Sequence, residues 1–164
     1  MKRFWKVFDK IVDAMAAIAW IMLLFICAAS CYTIGMRFFF TRTTIWIMQT
    51  TEYALLWMVF LSTTWLLREK GHITTDLVYE HLSEKTKWLL DVITFTLSGL
   101  ACAVLFYYSA AYTYDSIIGG VTDVRAVTVP KWTVYIIIPI GSLFLIIQFF
   151  RMAGSRLSEL RAGR

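Results

Sequence analysis

The sequence predicts an all-α membrane protein with four transmembrane helices. Of its 164 residues, 59% are apolar and only 16% are charged, which is more apolar material than a soluble domain of this size buries in one core. The apolar residues form four long stretches without the polar stripe of a soluble helix. A bilayer core about 30 Å thick needs roughly 20 helical residues, and each stretch reaches that length.

The whole chain, residues 1–164, is predicted to form a single membrane domain. Glu52 is the only charged residue in the second apolar stretch and Asp91 the only one in the third. The carboxyl-terminal residues 152–164 are predicted to be a cytoplasmic tail. The predicted spans cover about residues 11–36, 45–67, 88–112 and 131–151.

Lys and Arg residues alternate in number between the polar segments that separate the spans. Twelve of the sixteen lie in the amino-terminal segment, the second connection and the tail, and four lie in the first and third connections. The positive-inside rule therefore predicts that both termini and the second connection are cytoplasmic. The net charge of +5 then reflects orientation in the membrane, and we expect no nucleic-acid partner.

Residues 1–12 are predicted to form a short interfacial helix. Phe4, Phe8 and Ile11 recur at helical spacing, and Lys6 lies on the opposite side, so this segment can rest in the lipid headgroup layer before the chain turns into the membrane. The alternative is a helix that docks a partner.

Cysteines and histidines indicate no cofactor. Cys27 and Cys31 are four residues apart, which fits neither a C-x-x-C motif nor a zinc site, and with Gly35 they form a row of small residues that predicts close helix packing. His72 and His81 both lie in the second connection, whereas a membrane haem needs facing histidines inside the bilayer. We therefore expect that this protein is not an enzyme and that it binds no cofactor.

Acidic residues at membrane depth are candidate functional groups. Asp13, Arg68 and Asp91 fall at one cytoplasmic level, and we predict that they form an ion-pair layer that orients three helices. Glu52 lies in the outer half of the second span, one turn after Gln49, and must face protein, headgroups or water. Its carboxylate either carries a coupling proton or binds a partner subunit, and the sequence leaves both open.

A self-contained transporter usually has discontinuous helices at the bilayer midplane and internal repeats. Pro139 predicts a bend of the fourth span near Tyr135, but no other span has a matching break. No Arg or Lys lies at the midplane to hold an anionic substrate.

A series of motifs runs through residues 35–145: Arg37-Phe38, Trp46, Glu52, Trp57, Phe60-Leu61, Arg68, Gly71-His72-Ile73-Thr74-Thr75-Asp76, Val129-Pro130-Lys131-Trp132, Tyr135 and Ile138-Pro139-Ile140-Gly141. In their order and spacing, these motifs resemble the signature of the small membrane subunit, or Q subunit, of tripartite ATP-independent periplasmic (TRAP) transporters. Ser62 stands where that family commonly has Gly after the Phe-Leu pair, and Ser is still small enough for close packing.

The resemblance implies a scaffold subunit in the bacterial inner membrane. In such systems a large permease subunit holds the substrate and sodium sites, and a periplasmic binding protein delivers an organic acid. The small subunit would pair obligately with the large one, contact the binding protein transiently, and rest in membrane lipid without a substrate site of its own. The sequence does not specify the organic acid, whether sialic acid, a C4-dicarboxylate or another.

Trp46 and Trp132 fall near predicted membrane interfaces, which suits an aromatic belt. His72 and Asp76 either fix the cytoplasmic turn locally or touch the large subunit. Pro130 is predicted as the first residue of the fourth span. The candidates for partner contact or structural roles are Glu52, Trp46, Trp57, Arg68, His72, Asp76, Asp91, Pro130, Trp132, Pro139 and Gly141.

Two other classes of protein stay open. A self-contained proton-coupled exporter would titrate Glu52 and pair with a second copy of itself. A haem-bearing anchor of a redox complex is the other class, and the placement of the histidines argues against it.

Overall fold

The computed structural model describes residues 2–40, 45–70 and 84–161. Long helices carry most of these residues, and a short antiparallel hairpin joins the third long helix to the last. The elements are α1 (Lys2–Phe40), α2 (Ile45–Lys70), α3 (Glu84–Ile118), β1 (Thr122–Val124), β2 (Thr128–Pro130), α4 (Lys131–Tyr135) and α5 (Ile137–Arg161).

Three helical segments are long and apolar enough to cross a membrane: Arg3–Phe40, Leu89–Ile118 and Lys131–Ser155. The helix α2 has 26 residues, as the second predicted span requires, but it does not belong to this apolar set. Gln49, Glu52 and several threonines lower its hydropathy. The described chain is therefore a helical protein with three strongly apolar segments of membrane-crossing length and a fourth long helix, α2, that is less apolar than these.

The first helix differs from the prediction. Residues 1–12 were expected to lie apart from the first span, but α1 is continuous over 39 residues, a length of about 58 Å at 1.5 Å per residue. No Gly or Pro interrupts its first half, so nothing breaks the helix there. Phe8 and Val12 are buried, and the Phe8 ring stacks on Phe144 of α5 at a centroid distance of 5.5 Å. This segment packs against the rest of the chain instead of turning away from it.

The helices follow the spatial order α1, α2, α5, α3. The helix α2 packs between α1 and α5, and α3 packs chiefly on α5. The core lies where α1, α2 and α5 meet, and its buried residues are Met15, Ala19, Leu61 and Ile137. Within the described residues, the helices form an open row with two broad apolar faces.

Only one side of α3 is covered, because this helix contacts little besides α4 and α5. Gly99 brings the α3 backbone close to the Cβ of Phe149 and the ring of Phe150 on α5. Farther along, the Tyr112 ring meets the Tyr135 ring of α4 edge-on, with centroids 5.1 Å apart. A small residue thus lies at the contact of α3 with α5, and an aromatic pair lies at its contact with α4.

The predicted irregularity in the last span is found at Ile136, between α4 and α5. Pro139 has no N–H, so it cannot donate to the carbonyl of Tyr135, and the helix is interrupted there. Pro130 was predicted as the first helical residue, but it is the N-cap, one residue earlier, and it also closes β2 opposite Thr122. Its backbone carbonyl accepts a hydrogen bond from the hydroxyl of Thr133 at 2.7 Å.

The hairpin was not predicted, and it is an exception to the all-α expectation. The helix α3 ends in a Schellman motif, in which Val121 donates to the carbonyl of Ser116 and Gly120 donates to that of Ile117. Gly120 has a φ of 57°, which a residue without a side chain adopts at little cost. This ending turns the chain sharply from α3 into β1.

The small-residue row of α1 does not pack within the described chain. Cys27 and Cys31 are exposed, and a Cβ at Gly35 would meet no atom within 4 Å. The close helix packing predicted for this row is therefore not found among the described residues and stays a prediction. The three described cysteines are free thiols.

Candidate functional site

Polar side chains collect at the two ends of the helical row. We call Gln49, Glu52, Tyr53, Asp123 and Arg125 the hairpin cluster. We call Asp9, Asp13, Arg68 and Arg151 the terminal cluster. Between them, most buried hydroxyl groups bond to their own helix, as in the bond from Thr113 to the carbonyl of Ser109. Such local bonds satisfy polar groups within an apolar environment.

Gln49 is the buried centre of the hairpin cluster, with 4% of its surface exposed. Its Nε2 donates to the backbone carbonyl of Val127 at 2.9 Å, and its Oε1 accepts from the Val127 N–H at 2.9 Å. These paired bonds imitate one rung of a β-ladder. One side chain of α2 therefore holds the loop of the hairpin, 78 residues farther along the chain.

A chain of polar contacts extends from Gln49. Its Nε2 also lies 2.8 Å from the hydroxyl of Tyr53, which donates to Oδ2 of Asp123 at 2.7 Å. Arg125 approaches Asp123 at 3.4 Å and donates to Oε2 of Glu52 at 2.8 Å. Glu52 thus faces a cation of its own chain.

The electrostatics of this end follow from that geometry. Asp123 and then Glu52 raise the pKa of Arg125 above its usual value, so the guanidinium keeps its charge throughout the ordinary pH range. The side chains of Glu52 and Arg125 are both 55% exposed, and solvent screens exposed ion pairs so strongly that they add little stability. Buried Gln49 therefore supplies more of the attachment of the hairpin than the ion pair does.

Arg68 organises the terminal cluster from the end of α2. Its guanidinium contacts the carboxylate of Asp13, lies 3.1 Å from Glu69, and donates to the backbone carbonyl of Asp9 at 3.2 Å. Of the predicted ion-pair layer of Asp13, Arg68 and Asp91, the structure shows the contact between Arg68 and Asp13. These contacts hold the carboxyl-terminal end of α2 against the first turns of α1.

Arg151 brings α5 into the same cluster. Its Nη1 lies 2.6 Å from Oδ1 of Asp9, and its guanidinium covers the ring of Trp5 at 4.5 Å from the centroid. Neither Asp9 nor Arg151 was among the predicted site residues. The sequence could have indicated both residues. Asp9 lies one helical turn before Asp13, on the same side of α1, and Arg151 directly follows the last apolar stretch.

The remaining candidates lie apart from the two clusters. Asp91 is buried on α3, Trp57 packs on the core of α1, α2 and α5, and Trp46 and Trp132 are exposed. Gly141 lies in the contact between α2 and α5. The candidates His72 and Asp76 fall outside the described residues.

Several grooves on the surface run along α1 and α2. One is lined by Ala16, Ala19, Trp20, Met58, Ser62 and Trp65 among others, and another passes Glu52 beside Ser30 and Thr51. Both are open furrows with mostly apolar walls. In the described part of the chain, no group of three or more His, Cys, Asp or Glu side chains could hold a metal ion.

Apolar helices of membrane-crossing length, fastened at each end by polar side chains, define a multi-pass membrane protein with a braced helical body. Residues 26–159 match the family model of the tripartite ATP-independent periplasmic transporters, DctQ component. The chain belongs to this family, whose members are transporter components of the inner membrane and not enzymes. They act in a tripartite complex with a large permease and a binding protein. No curated protein and no solved structure matches the chain.

Proposed function

We propose that this chain is the small scaffold subunit of a sodium-coupled transporter that imports an organic acid delivered by a periplasmic binding protein. It binds no substrate. Its task is to anchor the large permease subunit, with which it forms an obligate complex, and it meets the binding protein only transiently. The observation that carries this proposal is the pair of polar clusters that brace the helical row, whose grooves along α1 and α2 are open and mostly apolar.

A scaffold has to keep its shape while a neighbouring subunit moves. The terminal cluster ties α1, α2 and α5 together at one end, and the hairpin cluster ties the link between α3 and α4 to α2 at the other. Every helix of the row is thereby held at one end or both. This arrangement supports a static role, because contacts at both ends oppose tilting of one helix against the next.

We propose that all four long helices cross the bilayer, with both termini in the cytoplasm. The greater number of Lys and Arg residues on that side supports this orientation. The terminal cluster then lies at the cytoplasmic surface, and the hairpin lies at the periplasmic surface. The polar helix α2 crosses between α1 and α5, which cover two of its sides.

We propose a structural role for Glu52 in place of a coupling role. Glu52 accepts a hydrogen bond from Arg125 of its own chain at 2.8 Å, so this carboxylate helps to fasten the hairpin to α2. The residues Trp46 and Trp132 are proposed as interfacial anchors or contacts of the permease. Arg68, Pro139 and Gly141 are proposed to act through the shape of the subunit.

Transport assays with reconstituted components test this function. The purified chain, a large permease subunit proposed as its partner and their complex are each placed in liposomes with a sodium gradient and the binding protein loaded with a candidate organic acid. We expect uptake only from the complex. Uptake by the chain alone would contradict the proposal, and so would full uptake by the permease without the chain.

A haem absorption spectrum and a proton-flux assay on the same liposomes address the two alternative classes. We expect no haem band from the purified chain. We also expect no proton flux with the chain alone. Flux that disappeared in Glu52→Gln would instead support a self-contained exporter.

A further inference from the structure

The first three turns of α1 present two kinds of exposed side chain. Arg3, Lys6 and Lys10 are exposed, and so are the apolar residues on the neighbouring strip. At about 100° per residue, the three basic residues fall within an arc of about 60°. The exposed apolar strip consists of Phe4 at 61%, Val7 at 55% and Ile11 at 43% exposure, and it fills the adjoining arc.

The acidic side chains nearest to this surface are already occupied. Asp9 pairs with Arg151, and Asp13 and Glu69 both pair with Arg68. Within the described residues, no carboxylate lies within ion-pair distance of the three basic side chains of the arc. The positive charge of this arc is therefore available to an anion from outside the chain.

The apolar strip indicates which kind of anion fits. A face that contacts only water would not place three large apolar side chains next to its charges. A phospholipid offers both partners, since its phosphate attracts Lys and Arg while the upper part of its acyl chains contacts apolar side chains. Phe8 and Val12 on the opposite side are buried in the bundle, so the exposed arcs keep a fixed direction.

The position of the basic and apolar arcs along α1 also fits a phospholipid partner. From Asp13 to Arg37, α1 rises about 36 Å, close to the thickness of a bilayer core crossed at a tilt. The residues before Asp13 then extend about 15 Å beyond Asp13, past the terminal cluster and into the headgroup layer. The proposed orientation makes this the cytoplasmic leaflet, although the lipid contact itself depends only on the arcs.

We propose that the first three turns of α1 form a binding surface for anionic phospholipids, with the basic arc on the headgroup and the apolar arc on the acyl chains. Each basic side chain near a membrane surface strengthens the attraction to anionic lipid roughly fivefold. The three together give a preference of about 100-fold for phosphatidylglycerol over phosphatidylcholine.

The test measures lipid binding to the purified full-length chain in detergent. Phosphatidylglycerol or phosphatidylcholine is titrated in, and bound lipids are counted by native mass spectrometry. We expect a clear preference for phosphatidylglycerol that weakens as ionic strength rises. The triple variant Arg3→Gln, Lys6→Gln, Lys10→Gln should lose most of that preference, and Arg3→Lys, Lys6→Arg, Lys10→Arg should keep it.

Two controls separate this surface from general effects. Arg37→Gln removes a basic residue at the far end of α1 and should leave the preference unchanged, and circular dichroism checks that each variant is folded. An undiminished preference in the triple Gln variant would overturn the proposal. So would a triple variant that binds phosphatidylglycerol normally but no longer recovers the large permease, since the arcs would then bind protein. No transport is measured, so either result leaves the scaffold function to its own test.

Discussion

Gly141 of α5 lies directly against Phe60 of α2. A Cβ built at Gly141 would lie 2.8 Å from the Cβ of Phe60 and 3.0 Å from its backbone oxygen. Both neighbours belong to the rigid part of a helix, so neither can swing away. The contact between α2 and α5 therefore requires a residue without a side chain, and it joins the two halves of the helical row.

Replacing Gly141 by Ala should weaken this contact. Overpacking of a close contact typically costs about 1–3 kcal/mol, and we expect a lower midpoint of thermal unfolding in detergent. Gly154→Ala is the matched control on the same helix, because no atom lies within 4 Å of a Cβ there. That change should be neutral or slightly stabilising, since Ala favours a helix over Gly by about 1 kcal/mol. Equal effects of the two variants would contradict the importance of this contact.

Replacing Gln49 by Leu should release the hairpin. The change removes both bonds to Val127 and leaves two backbone groups of the loop without that partner, at a cost of about 1–3 kcal/mol. Amide hydrogen exchange should become faster over residues 121–130 and stay unchanged in the core of α1. The control Thr50→Val on the same helix removes only a bond to the carbonyl of Trp46 and should leave exchange in the hairpin unaltered. Unchanged exchange in Gln49→Leu would mean that other contacts hold the loop.

Replacing Glu52 by Gln should leave the thermal unfolding midpoint of the isolated subunit almost unchanged, because the pair with Arg125 is exposed. Arg125 also keeps its contact with Asp123 at 3.4 Å. We nevertheless expect the variant to lower recovery of the complex with the large permease, or its uptake, while membrane insertion stays normal. Pull-down and transport assays measure these effects. Full recovery with full uptake would remove Glu52 from the functional residues.

Replacing Arg68 by Met should loosen the terminal cluster. Asp13 and Glu69 would lose their cation, and because these carboxylates are 55% and 50% exposed, each lost pair should cost no more than about 1 kcal/mol. The control Arg68→Lys keeps the charge but loses the planar fork that reaches Asp9 and Asp13 together, so an intermediate loss is expected. Thermal unfolding of the purified chain distinguishes the three proteins. A Met variant as stable as the parent would show that the cluster contributes nothing measurable.

Part of this architecture could be predicted from local sequence. Long uncharged stretches predict helices of membrane-crossing length, because lipid leaves backbone groups no other partner. Pro139 predicts the irregularity at Ile136 for the same local reason, since it lacks an N–H. The pairing of Arg68 with Asp13 followed from the expected depth of each residue. These features need no knowledge of which helices are neighbours.

Other features depended on which elements lie side by side. The partner of Glu52 is Arg125, 73 residues away, and the hairpin that carries Arg125 was not predicted. The helix α1 continues without a break from Lys2 into the first span, and Phe8 and Asp9 of this segment contact α5, which the sequence did not reveal. Asp9 and Arg151 were overlooked as a pair for the same reason.

The sequence by itself determined the membrane class, the helical segments and the family of this protein, because length, hydropathy and short motifs are local properties. The tertiary structure decided the open row of helices, the two polar clusters and the close contact at Gly141. The physical reason lies in the solvent. In lipid, apolar side chains contact acyl chains and neighbouring helices equally well, so hydropathy does not determine which helices pack together. Small residues and long-range polar bonds determine it instead.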